Sequence, residues 1–133
     1  MTAIIDGQTQ NFNTSLQGTH QGVAYVIEGR ASASDTFPVM QMVLIKPDSL
    51  AIGTFTDTTI RYTVSCILGI NDTTRYNSGT GATGPGINTN PTMITITAQD
   101  ATSIQGTFSG DFYLNNTLSG KKTITGDFDV PWK

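Results

Sequence analysis

An all-β fold is the expectation from this sequence, and three observations carry it. Apolar and polar residues alternate with a period of two over long stretches, most clearly in the last third of the chain. About one residue in six is threonine, a β-branched type that suits a pleated surface. No segment repeats apolar residues at the three-to-four spacing of an amphipathic helix. With 133 residues, of which 37% are hydrophobic, a single domain over residues 1–133 around one core is expected. The predicted architecture is an antiparallel β-sandwich of about eight to nine strands, with an antiparallel β-barrel as the alternative closure.

The elements follow in chain order. Ala3-Ile4-Ile5 and Gln8 to Asn13 flank Asp6-Gly7, a dipeptide that favours the type I′ turn of a tight hairpin because both of its residues tolerate positive φ. Leu16 to Gly22, which holds the only histidine, His20, reads as a polar turn. Gly22 to Ala31 reads as a strand with Val23, Tyr25 and Ile27 on one face and Ala24, Val26 and Glu28 on the other. Pro38 to Lys46 is almost continuously apolar and closes at Pro47-Asp48; its β-branched content and flanking prolines favour a central strand over a helix. Ile52 to Thr56 and Ile60 to Leu68 follow, the latter with Ile60, Tyr62, Val64, Cys66 and Leu68 inward.

Glycine and proline then crowd the stretch from Gly69 to Asn90, which reads as a long surface loop. A carboxy-terminal meander completes the chain. Its strands are Thr92 to Ala98, Ile104 to Leu114 and Thr123 to Trp132, joined by short turn-rich links at Gln99 to Ser103 and Asn115 to Lys121. In the second strand Ile104, Gly106, Phe108, Gly110, Phe112 and Leu114 are expected inward, with Gln105, Thr107, Ser109, Asp111 and Tyr113 outward. In the third, Ile124, Gly126, Phe128 and Val130 oppose Thr123, Thr125, Asp127 and Asp129.

Several chemistries lose their usual parts. Seven basic against ten acidic residues leave a formal charge of −3, so there is no positive field for nucleic acid or an anionic membrane. One cysteine cannot form an internal disulfide and one histidine cannot build a multi-histidine metal site. Cys66 is expected to be a small buried hydrophobe. Gly79-Thr80-Gly81-Ala82-Thr83-Gly84 spells a dinucleotide-binding turn, but Pro85-Gly86 follows where a helix is required. His20 has no Gly-x-Ser-x-Gly elbow to serve. Asp48, Asp57, Asp72, Asp111, Asp127 and Asp129 show no calcium-loop spacing, although Asp127 and Asp129 share a face with Asp111 on the neighbouring strand. No catalytic, cofactor or metal residue is therefore expected.

What is left is binding. Tyr113, Trp132, Tyr76 and Phe37 are the aromatics not assigned inward and are the candidates to stack on a sugar ring, with Trp132 also placed to cap the core. The candidate ligand-binding set is Tyr76, Tyr113, Trp132, Asp127 and Asp129.

The segments Ile104-Gln105-Gly106-Thr107-Phe108 and Ile124-Thr125-Gly126-Asp127-Phe128-Asp129-Val130, preceded by Met93 to Asp100, resemble the carboxy-terminal half of a family of small exported or lipid-anchored β domains from Bacteroidota. Ile5-Asp6-Gly7 to Phe12 is similar to that family's amino-terminal motif. The resemblance covers about half of the chain, and it implies a cell-envelope or extracellular location and carries no catalytic residue. Only 13% of residues are charged, against roughly 25% in average soluble proteins, and such a surface also fits an exported protein. Met1 then reads as a start added after removal of a leader. The functional expectation is a non-enzymatic envelope or extracellular module that binds a protein or a glycan through residues 71–90 or a sheet edge. The alternatives are a carbohydrate-binding module, a surface protein that self-assembles by strand addition, and a small hydrolase using His20.

Overall fold

The computed structural model describes residues 1–46, 51–56, 63–78, 90–115 and 120–133. Within them the chain is all-β. The strands are β1 (Thr2–Ile5), β2 (Gln8–Asn11), β3 (Thr14–Gln21), β4 (Ala24–Arg30), β5 (Val39–Ile45), β6 (Gly53–Thr56), β7 (Thr63–Gly69), β8 (Arg75–Asn77), β9 (Met93–Gln99), β10 (Ser103–Leu114) and β11 (Lys122–Pro131). All ladders between them are antiparallel and join into one curled sheet.

The curl has two facing halves. One runs β2-β1-β11-β10-β9-β6, the other β3-β4-β5-β7-β8, and β10 belongs to both because its first part pairs with β9 and its last two residues with β8. The halves face each other across a core as in a sandwich, while the shared strand makes them one surface as in a half-barrel. A parallel bridge between Gly18 and Trp132, just beyond β11, links β3 back to the other half. Tyr25 and Ile27 of β4, Met40, Met42 and Leu44 of β5, and Val64, Cys66 and Leu68 of β7 meet Ile94, Ile96, Ile104, Phe108, Ile124, Phe128 and Val130 in one cluster.

Alternation places side chains as expected in β11, where Ile124, Phe128 and Val130 are buried and Thr125, Asp127 and Asp129 exposed. Cys66 is fully buried. Asp6 and Gly7 both have positive φ, 53° and 78°, the I′ signature. Gly7→Ala forces a Cβ into the left-handed region and is expected to lower stability by about 1 kcal/mol, measurable as a shift of the urea midpoint. The chain then turns Phe12 fully into the core, its carbonyl crossing Gly29 where any Cβ would collide with it.

Three expectations are corrected. Residues 14–21 are not a turn but strand β3, hydrogen-bonded along β4; its polar, glycine-containing sequence hides the strand because its neighbour Trp132 supplies the apolar mass over Gly18. The stretch from Gly69 to Asn90 contains β8, a three-residue strand held between β7 and β10. Asp111 and Tyr113 are on the face opposite Phe112 as expected, yet both are buried, at 1% and 5% exposure. The Gly79 to Gly84 motif, Asp48, Asp57, Ile60 and Tyr62 lie outside the described residues.

Candidate functional site

Cross-strand register builds the most developed concavity. His20 on β3 is directly opposite Tyr25 on β4, and their rings stack with centroids 4.3 Å apart and planes 6° from parallel. Tyr25 in turn meets Trp132 at 6.3 Å and 57°. Gly18 permits this approach, since a Cβ there would sit 2.9 Å from the Trp132 ring. Two backbone bonds fix the tryptophan: its own N–H donates to Thr102 O at 2.9 Å, and the next N–H, of Lys133, donates to Gly18 O at 2.9 Å.

The β9–β10 turn forms the opposite wall. Asp100 Oδ1 accepts the Thr102 N–H at 2.7 Å, the Thr102 hydroxyl at 2.7 Å and the Ser103 N–H at 2.9 Å, a side-chain turn that mimics a backbone one. The Thr102 hydroxyl, and then the Thr102 and Ser103 N–H groups, hold the Asp100 carboxyl below its ordinary value. His20, Tyr25, Gln99, Asp100, Ala101, Trp132 and Lys133 together line an open groove of about 540 Å³. Tyr25 also borders a void of about 10 Å³ among core side chains, so this mouth groove adjoins the core.

The chemistry of the lining is specific. His20 Nε2 lies 2.6 Å from Gly22 O, and a carbonyl only accepts, so the ring carries its hydrogen on Nε2. Among the described residues no carboxylate bonds to His20, so it lacks the orienting partner of a triad base. Among the described residues the lining holds one side-chain carboxylate, Asp100, and no serine, threonine or cysteine. It offers ring faces, an amide, a fixed carboxylate and an ammonium group.

Of the five residues expected to bind, only Trp132 reaches this groove. Tyr113 is buried and presents no free ring face. Tyr76 is half-buried against the core, with Lys122 Nζ 5.2 Å from its ring centre. Asp127 and Asp129 are exposed on the outer face of β11, where the Thr2 hydroxyl donates to Asp127. Asp111 does not join them: it pairs with Thr123, four residues from Asp127 along the ladder, a separation of roughly 13 Å. Among the described residues no three metal-binding side chains converge. The sequence reading considered His20 only as a hydrolase base and did not join it to Tyr25, Gln99 and Asp100, because the β3–β4 pair and the β9–β10 turn are far apart in the chain; the available signal was the register that pairs His20 with Tyr25. A scan against protein-family models gives no match, and neither do searches of the curated proteins and of the solved structures.

Proposed function

We propose that the protein is a non-enzymatic binding module of the cell envelope or extracellular space that holds a neutral carbohydrate segment in the mouth groove. The observation that carries this reading is the aromatic lining of one open groove, in which His20 stacks on the buried Tyr25 and Trp132 lies beside them, rimmed by Gln99, Asp100 and Lys133. A sugar has an apolar C–H face and a belt of hydroxyls, and it is matched by aromatic faces with a few fixed donors and acceptors around them. The open mouth suits a segment of a longer chain.

Retention without cleavage fits the carboxylate content. Glycoside hydrolysis uses two carboxyl groups flanking the bond, one of them protonated. Among the described residues the groove has one side-chain carboxylate, Asp100, and its three hydrogen bonds favour the ionised form, which orients hydroxyls but does not act as an acid.

Trp132, the single tryptophan, makes the test direct. Titration with neutral oligosaccharides of the gluco, xylo and N-acetylglucosamine series is expected to change its emission saturably for one series. His20→Ala, at an exposed position, is expected to weaken that binding about tenfold, roughly the 1.4 kcal/mol of one lost ring contact. Emission and melting temperature that stay constant with all three series would overturn the reading.

A further inference from the structure

A second concavity lies on the outer face of the β4-β5-β7-β8 half, away from the mouth groove. Register places Arg30 opposite Val39, Val39 opposite Gly69, and Gly69 opposite Arg75, so these four residues form one row across four strands. The next row is Glu28, Gln41, Ile67 and Asn77. Phe37 folds over the middle of the first row. A Cβ at Gly69 would lie 2.9 Å from the Phe37 ring and 2.9 Å from Val39 Cγ1, so glycine is what admits the ring. The result is a cleft of about 210 Å³ with an apolar floor of Val39 and Ile67, a Phe37 wall, and Arg30 and Arg75 among its lining.

Two of the chain's three arginines are gathered here with its only glutamate. Glu28 Oε2 accepts from Gln41 Nε2 at 3.0 Å, and its other oxygen is 3.6 Å from Arg30, an ion pair too long for a good hydrogen bond. Arg30 Nε is buried without an acceptor. Arg75 has no carboxylate partner among the described residues. Among the described residues, two positive charges against one negative leave the cleft with a single unbalanced positive charge, on a guanidinium whose planar fork matches a carboxylate.

We propose that this cleft is a binding site for a small monoanionic carboxylate with a flat apolar body, the body lying against Phe37, Val39 and Ile67 and the carboxylate on Arg75. Glu28 selects against a dianion such as a phosphate monoester, because a second negative charge meets it without a compensating cation. The site is independent of the mouth groove and shares no lining residue with it.

The probe is sodium benzoate, followed by backbone amide NMR of the full chain. Benzoate is expected to shift the Val39, Gln41 and Gly69 amides saturably and to bind at least tenfold more tightly than benzamide. Arg75→Gln, an exposed substitution, is expected to reduce that ratio to near one, and Lys133→Gln to leave it unchanged. The proposal is overturned by an absence of saturable shifts at those amides, by equal binding of benzoate and benzamide, or by a benzoate preference that survives Arg75→Gln. Tighter binding of phenyl phosphate than of benzoate would overturn the monoanion assignment.

Discussion

Gly126→Ala is expected to lower stability by about 3 kcal/mol or more, the upper range for forcing atoms into a close-packed interior. Gly126 lies opposite Phe108, and Gly106 lies opposite Phe128, on the paired strands β10 and β11. Each phenylalanine covers the glycine across from it. A Cβ on Gly126 would overlap the Thr2 carbonyl oxygen and fall 2.6 Å from Phe108 Cε1; one on Gly106 would overlap the Thr95 carbonyl oxygen and fall 2.7 Å from Phe128 Cζ. The carbonyls belong to β1 and β9, which pair on either side of this central ribbon, so relief requires moving a whole ladder. Urea unfolding of Gly106→Ala and Gly126→Ala checks this; midpoints within about 0.5 kcal/mol of the parent, the span of ordinary surface substitutions, would refute it.

The second large effect is expected at Asp111. Its carboxylate is buried, with Lys121 Nζ at 2.8 Å, the Thr123 hydroxyl at 2.7 Å and Asn90 Nδ2 at 3.1 Å. Asp111→Ala removes three hydrogen bonds to a buried carboxylate and is expected to cost about 2–3 kcal/mol; Lys121, half-exposed, and Thr123, exposed, return to water and limit the loss. Burial pushes the Asp111 carboxyl up, but the bonds from Lys121, Thr123 and Asn90 and the Lys121 charge outweigh it, and the carboxyl ends below its ordinary value. The folded state therefore binds this proton more weakly than the unfolded chain. Its contribution is complete above the unfolded value of about 3.9 and is lost as pH falls through the lower folded value. Acid titration of the urea midpoint should show a loss in the parent that is smaller in Asp111→Asn. Identical pH profiles would contradict this assignment.

The glycine–phenylalanine ribbon was also the part of the fold most legible in the sequence. Period-two alternation identifies the inward residues of β11 and of β10, Phe112 included. What it misses is the burial of the other face late in β10, where Asn90, Lys121 and Thr123 surround Asp111 on what would have been the solvent face. Strand β3 was illegible for a different reason. Its place in the sheet depends on pairing with β4 and on a ring supplied by Trp132, neither of which is written in the local residues of Leu16 to Gln21. Strand β8, at three residues, is too short for any period to show.

The mouth groove illustrates the same limit at the level of function. Trp132 stood out because it is the single tryptophan, whereas His20 was read as a turn residue or a hydrolase base, and Tyr25 in the core and Asp100 in its turn, both correctly placed, gave no sign that they border one groove. Only the fold makes them neighbours.

The bridge between Gly18 and Trp132 has a dynamic consequence. On one side β3 is fastened to β4 by a ladder from Thr14 to Gln21 with one irregularity; on the other, toward the carboxy-terminal residues, it is fastened by the Gly18–Trp132 bridge with its Lys133 N–H to Gly18 O bond, and by Lys133 Nζ donating to Gln17 Oε1 at 2.8 Å. A joint with so few stitches is expected to part at lower free energy than the seven-residue β4–β5 ladder next to it, and parting it would lift Trp132 away from Tyr25. An occupant of the proposed groove, touching both β3 and Trp132, would then act as a clasp on the seam.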